Sequence, residues 1–172
     1  MKNKTTIVSF LVILAVIGLM WWGKAAQKET TSEQLTNFHP ARTGGVLTAS
    51  ETFYDFGMIS MKDGKASKVF KVRNPGEEDI NLEKVSTSCM CTNAYILMPD
   101  GEKKGPFGMP GHGGFVPKAN EIVKAGEERE IEVVYDPNAH GPAGVGMIDR
   151  FVYLEDESGN KLELEIKANV TP

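Results

Sequence analysis

Cys89 and Cys91 are the residues of this 172-residue chain whose type and spacing most directly indicate chemistry. They are its only cysteines, and a single residue separates them, so the sequence does not encode a disulfide-rich scaffold. On an extended strand such a pair points to one face, with Cα atoms about 6.6 Å apart. That separation is the outer limit for a disulfide, so a bridge requires a turn or strong pucker here. Two thiolates on one face could alternatively bind a single soft metal ion.

Histidine and methionine side chains elsewhere could complete a metal site. Met109 and His112 belong to one glycine-rich stretch, His140 lies in an Asp-Pro-Asn-Ala-His-Gly-Pro turn, and further thioethers come from Met90, Met98 and Met147. Thiolate, thioether and imidazole ligands together suit Cu(I) or Zn(II). We therefore predict a copper or zinc site whose candidate ligands are Cys89, Cys91, Met109 and His112.

Other interpretations of the same residues stay open. Cysteine is often a small buried apolar residue, so the pair can be structural or joined by a disulfide. A reactive pair could instead exchange disulfides with a partner. Histidines in loops are commonly solvated, and methionines commonly fill cores.

Enzymatic and nucleic-acid functions find no support in the sequence. It contains no Gly-x-Ser-x-Gly elbow, phosphate-binding loop or His-Glu-x-x-His motif. The net charge is −4, and no basic block offers an electrostatic footprint for a phosphate backbone. We therefore predict a non-catalytic protein without a nucleic-acid partner.

Hydrophobic alternation with a period of two predicts an all-β domain over residues 46–172. The clearest case is a strand over residues 162–170, in which apolar and polar residues alternate. Similar patterns occur at 70–73, 80–83, 130–135 and 148–154. Turn signals such as Asn74-Pro75-Gly76 separate them, which predicts an immunoglobulin-like β-sandwich of about seven strands. Residues 99–120, rich in glycine and proline, are predicted to form a long inserted loop.

The N-terminal region predicts a membrane anchor. After a short tail (residues 1–4), residues 5–23 carry no charge and end near two tryptophans, which predicts a transmembrane helix acting as a signal anchor. A cleaved signal peptide is the alternative, although its apolar region is usually shorter. Residues 24–45 are polar and predict a tether between the membrane and the domain.

Several motifs resemble the bacterial family called domain of unknown function 1573. They are Phe53-Tyr-Asp-Phe-Gly57, the strand ending in Asn74-Pro75-Gly76, and above all residues 84–92 (KVSTSCMCT), followed by residues 122–136. The resemblance spans about residues 51–170 and implies an exported Ig-like sandwich with no established activity. This chain departs from the family pattern at Met90, where the family has glycine, and in the inserted segment 99–120.

Together these inferences predict a non-catalytic binding or interaction module of the bacterial cell envelope. It would be a single-pass protein of the cytoplasmic (inner) membrane, with its domain facing the periplasm or the cell exterior. Its partner would be another envelope protein or polymer. The alternative is a copper- or zinc-handling or thiol-redox protein that uses the Cys-x-Cys pair.

Residues 5–23 are expected to keep the chain in the membrane fraction after cell disruption, because their uncharged run is close to the roughly 20 residues that span a bilayer. Fractionation combined with N-terminal sequencing checks this. A soluble mature protein that begins near Ala26 would contradict the anchor.

Overall fold

A computed structural model describes residues 46–111 and 116–172. The predicted anchor 5–23 and tether 24–45 lie outside the described residues, as does His112. Within the described part of the chain, no helix has the length and apolar character needed to cross a membrane.

The described residues form ten strands in two five-stranded sheets. The strands of sheet I are β1 (Thr48–Ala49), β3 (Ala66–Arg73), β5 (Thr92–Leu97), β6 (Lys103–Phe107) and β8 (Glu128–Tyr135). Those of sheet II are β2 (Phe53–Ser60), β4 (Ile80–Thr87), β7 (Glu121–Val123), β9 (Gly146–Asp156) and β10 (Lys161–Thr171). Sheet I has the order β1-β3-β8-β5-β6, and sheet II has the order β2-β10-β9-β4-β7. Every pairing is antiparallel except that of β2 with β10.

The all-β prediction is confirmed, but the predicted count of about seven strands is too low. Three of the ten strands, β1, β6 and β7, have two, five and three residues. Segments this short contain too few alternations to show a period of two against the surrounding loops.

The core lies between the two sheets and is built from the inward positions of the long strands. In β10, Leu164, Ile166 and Ala168 are at most 1% exposed, as the alternation predicted, and Glu163 is exposed. Glu165 is only half-exposed, contrary to the expectation of an exposed residue, because it lies between β2 and β9 and binds the Lys167 ammonium at 2.7 Å.

The segment 99–120 is not one long loop, because strand β6 forms within it and pairs with β5. The pairing shifts register between Ala94 and Ile96, where Gly105 approaches the neighbouring strand. Gly105 has a φ of 138°, and a Cβ there would lie 3.0 Å from the Ala94 carbonyl oxygen. Glycine and proline, which suggested a loop in the sequence, here mark an irregular edge strand.

One end of the sandwich, which we call the thiol end, gathers three connections. They are the β2–β3 connection (residues 61–65), the β4–β5 connection (88–91) and the β8–β9 connection (136–145). The residue after β6 joins them, since the Gly108 carbonyl accepts a hydrogen bond from the Thr87 amide at 3.1 Å. Residues distant in sequence are therefore brought together at this end.

At the opposite end, a buried ion pair joins the two sheets. Arg129 in β8 donates from Nε to Glu121 in β7 at 3.0 Å and from Nη1 to Glu127 at 2.8 Å. Arg129 and Glu121 are only 8% and 6% exposed. The amide of the fully buried Asn74 adds hydrogen bonds to the carbonyls of Glu78 and Val123, at 2.7 and 2.9 Å. Removing one partner of such a buried pair leaves an uncompensated charge, which is strongly destabilising.

Leu164→Ala is expected to lower the free energy of unfolding by about 2–5 kcal/mol, because it opens a cavity among fully buried neighbours. Glu163→Ala, the adjacent outward position, is expected to cost well under about 0.5 kcal/mol. Urea denaturation of both variants measures the difference. Equal, small losses would contradict the assignment of the two faces of β10.

Candidate metal and thiol site

The two cysteines lie in a tight turn that carries the chain from sheet II to sheet I. The turn, Ser88–Cys91, is closed by a hydrogen bond from the Thr92 amide to the Cys89 carbonyl at 3.1 Å. The Thr87 hydroxyl supports it through contacts of 3.0 Å with the carbonyls of Cys89 and Thr92. Ser88 fixes it to β9, because its amide donates to the Phe151 carbonyl and its hydroxyl accepts from the Phe151 amide, both at 2.9 Å.

This turn brings the cysteine sulfurs together. The Cys91 thiol donates to the Cys89 sulfur at 2.7 Å, and both cysteines are free thiols. Two thiolates on one tetrahedral metal ion are about 3.8 Å apart, given metal–sulfur distances of about 2.3 Å. A disulfide bond is about 2.05 Å long. The sulfurs are thus about 1 Å closer than a chelated pair and about 0.7 Å farther apart than a disulfide.

Met90, which replaces the family's glycine, is compatible with this turn. Asn120 is the only non-glycine residue with positive φ in the described ranges, so the Met90 backbone adopts a conformation open to any residue. Its side chain is 49% exposed. Compared with glycine, Met90 therefore adds a thioether between the two cysteines, and it does so without requiring a left-handed backbone conformation.

His140 approaches the cysteines from the β8–β9 connection. Its Nε2 lies 3.2 Å from the Cys89 sulfur. The Asp136 amide anchors this connection by donating to the Cys91 carbonyl at 2.8 Å, and the Asp136 carboxylate accepts from the Asn138 amide at 2.9 Å. The sulfurs of Cys89 and Cys91 and a ring nitrogen of His140 all lie within 4.8 Å of one another.

Of the four predicted metal ligands, the structure brings Cys89 and Cys91 together. Cys89 and Cys91 form the core of the cluster, and His140, considered in the sequence as a further ligand, completes it. His112 lies outside the described residues. Met109 is half-buried and follows Gly108, whose carbonyl is bound by the Thr87 amide, so its backbone is at the thiol end.

Arg150 is a site residue that the sequence reasoning missed. Its Nε donates to the Cys91 sulfur at 3.2 Å, and its Nη1 donates to the Asp149 carbonyl at 2.7 Å. A signal for it was present, because Arg150 occupies an inward position of β9 between the buried Ile148 and Val152. A charged residue at an inward strand position requires a partner.

The environments of the two thiols differ, and so do their pKa values. Burial acts to raise the pKa of Cys89, but hydrogen bonds from the Cys91 thiol and amide and from His140, together with the charge of Arg150, outweigh it and lower the pKa to about 7. Burial and the neighbouring Cys89 raise the pKa of Cys91, although Arg150 and Thr92 oppose this. Cys89 is therefore the more readily ionised and more accessible thiol.

The arrangement can hold one soft metal ion. Two sulfurs and one imidazole nitrogen give a three-coordinate site for Cu(I), or three ligands for Zn(II) with an open fourth position. The same dithiol can also close to a disulfide.

Fold and site together define a small β-sandwich domain with a dithiol–imidazole cluster at one end. The model of the family described as "Protein of unknown function (DUF1573)" matches residues 47–102 of this chain. This match confirms the family resemblance and includes the Cys-x-Cys turn. His140 and Arg150, and the residues 122–136 that resemble the family, lie beyond the matched segment.

Solved structures with a similar fold share little sequence with this chain. A protein of unknown function from Porphyromonas gingivalis W83 superposes with a TM-score of 0.53 at 16% identity, covering 77% of this chain and 51% of that chain. This chain thus spans about half of that protein, and the likeness shows the fold alone. The secreted serine protease VesC from Vibrio cholerae gives 0.45 at 12% identity, with 74% and 24% covered. The periplasmic chaperone SfaE gives 0.39 at 9% identity, with 73% and 58% covered. No curated protein sequence matches significantly.

Alkylation of Cys89 by iodoacetamide is expected to reach half its maximal rate near pH 7, because the thiolate is the reacting species and its pKa is about 7. Cys91 should react only at higher pH, since its pKa is raised. Mass spectrometry of peptides from the reduced protein separates the two rates. In Cys91→Ala the midpoint for Cys89 should move to higher pH, because the stabilising thiol hydrogen bond is lost; an unchanged midpoint would contradict the assigned cause.

Proposed function

We propose that this domain is a non-catalytic binding module whose ligand is a soft metal ion, Cu(I) or Zn(II), held by Cys89, Cys91 and His140. The observation that carries the proposal is the convergence of two sulfurs and one ring nitrogen within 4.8 Å. These ligands come from two connections separated by about fifty residues, so their meeting is a property of the fold.

The electrostatics of the site favour a singly charged ion. Two thiolates and Cu(I) carry a net charge of −1, which the guanidinium of Arg150, 3.2 Å from the Cys91 sulfur, compensates. Binding requires the loss of both thiol protons, and the proton of Cys91 is the harder to remove because its pKa is raised. Metal affinity therefore decreases as the pH falls.

The proposed setting is the cell envelope. Residues 5–23 would hold the chain in the cytoplasmic membrane, and residues 24–45 would tether a domain that faces the periplasm or the cell exterior. The support is the uncharged run of the anchor and the tryptophans at its end. The proposed partner is another envelope protein or polymer that exchanges the ion with this domain or is organised by it.

Thiol–disulfide exchange is the second candidate function. It is favoured by the 2.7 Å sulfur separation and by the lowered pKa of Cys89. The Cys89 thiolate would attack a disulfide of the partner and release one partner thiolate, forming a mixed disulfide. Cys91, losing its proton, would then attack Cys89, so that the partner leaves with two reduced sulfurs and the Cys89–Cys91 disulfide remains.

Metal titration of the reduced full-length chain in detergent micelles tests the metal proposal. With Cu(I) or Zn(II) competing against a chromophoric chelator, the wild type is expected to bind one equivalent. Cys89→Ser and Cys91→Ser should each abolish stoichiometric binding, and His140→Ala should weaken it by about tenfold or more, as expected for a lost ligand or its support.

His112→Ala is the matched control for His140→Ala, because it removes the same side chain from a glycine-rich segment of the chain. It should weaken binding less than His140→Ala does. A wild type that stays metal-free under reducing conditions would refute the metal proposal. In that case, formation of a Cys89–Cys91 disulfide in a glutathione redox buffer would support the exchange function instead.

A further inference from the structure

The methionines of the described residues concentrate at the thiol end of the sandwich. Five of the six lie there: Met58, Met61, Met90, Met109 and Met147. Met98, which follows β5, lies at the opposite end. Met58 and Met147 are 75% and 74% exposed, more than any other large apolar residue described. Single exposed apolar residues are ordinary, but two of one type in register are not explained by the core.

Met58 and Met147 flank the same residue of sheet II. Asn169 in β10 pairs with Met58 on one side and with Met147 on the other. Residues opposite one another on paired strands project to the same face. Since Ala168 and Val170 are buried on the inner face, this row of three residues lies on the outer face of sheet II.

The spacing of the row fits a two-sulfur site. Two strand intervals of about 4.8 Å separate the two methionine backbones by about 9.6 Å. Two sulfurs bound to one ion at about 2.3 Å each are at most about 4.6 Å apart. Each side chain must therefore lean inward by about 2.5 Å, which its three rotatable bonds allow. Asn169, a residue of modest size, lies between them.

The charges beside this row favour a cation. In the next outward-facing row, Lys167 pairs with both Asp55 and Asp149, and Glu165 lies two residues before it in β10. The Lys167 ammonium lies 3.5 Å from the Asp149 carboxylate and 2.7 Å from that of Glu165. Two carboxylates thus contact this ammonium and Asp55 lies in the same row, so three carboxylates outnumber one ammonium on this surface.

We propose that Met58 and Met147 form a second, weaker site for Cu(I) on the outer face of sheet II, from which the ion passes to Cys89 and Cys91. The thioether is a soft, uncharged ligand that selects Cu(I) and not Zn(II). Binding to the two thioethers releases no proton. The copper stays in the Cu(I) state throughout, and the two thiol protons pass to solvent as the sulfurs of Cys89 and Cys91 bind it.

Two chain segments lead from the methionine pair toward the thiol site. Met147, on the outer face of β9, lies three residues before the inward-facing Arg150, whose guanidinium touches the Cys91 sulfur. The Met61 carbonyl, three residues after Met58, accepts a hydrogen bond at 2.9 Å from Asn138 in the connection that carries His140. This inference extends the proposed metal function, since it names Cu(I) as the ion and gives its route.

The test uses the full-length chain in detergent micelles, labelled with carbon-13 at the methionine methyl groups. The background is Cys89→Ser with Cys91→Ser, so that the thiolate site is absent. Titration with Ag(I), a redox-stable substitute for Cu(I), and with Cu(I) itself should shift the methyl signals of Met58 and Met147 together. Zn(II) should leave both unchanged. Met58→Leu or Met147→Leu, which preserve volume, should each weaken binding at least about tenfold.

Met98→Leu is the matched control and should not change the titration, because Met98 lies at the opposite end. Methyl signals of Met58 and Met147 that do not respond to Cu(I), or that respond equally to Zn(II), would overturn the methionine site. So would an affinity unchanged by both leucine variants. Loss of tight binding in the wild type with the methionine shifts intact would instead refute the Cys89–Cys91–His140 site alone.

Discussion

The site depends on a crossing between the two sheets that takes only four residues. Strand β4 ends in sheet II at Thr87, and β5 begins in sheet I at Thr92. A connection this short must turn sharply, and hydrogen bonds from Thr87 and Ser88 hold the turn against both sheets. The cysteines within it are therefore forced together at the rim of the core. One faces solvent and His140, and the other faces the interior and Arg150, so the turn itself makes the two thiols chemically unequal.

Much of the fold could be predicted from the sequence, because long strands with one buried face display their period directly. This holds for β10, and for β8 at Ile131, Val133 and Tyr135, although the first inward position of β8 is the ion-paired Arg129. It fails for β6, where Gly105 and Pro106 suggested a loop although they shape an edge strand. At the site, the proximity of Cys89 and Cys91 follows from their spacing once a turn is allowed. The approach of His140 does not, since it depends on how a connection 51 residues away is anchored to the Cys91 carbonyl.

The two ends of the sandwich differ in the polar contacts that they contain. At the end opposite the thiols, the ion pair of Arg129 with Glu121 ties β8 to β7, and the buried amide of Asn74 holds the neighbouring turns. These contacts are made within the chain and need no ligand. At the thiol end the polar groups that meet are two sulfurs, an imidazole and a guanidinium, which can be rearranged around an ion or a disulfide. A ligand bound there adds its own free energy to a fold already held elsewhere.

The edge strands of the sheets influence how the domain behaves at high protein concentration. The two edges of sheet I are β1, with only two residues, and β6, where Pro106 has no amide hydrogen and two lysines precede Gly105. An added chain would find few consecutive donors at either edge. In sheet II, the edge strand β2 is longer, but its pairing with β10 is broken by a register shift between Lys167 and Asn169. In addition, the Asp55 carboxylate accepts a hydrogen bond from the Gly57 amide at 2.7 Å, so this amide is not free to pair with another strand. Such features suppress strand-to-strand polymerisation, so many copies can crowd together without seeding fibrils.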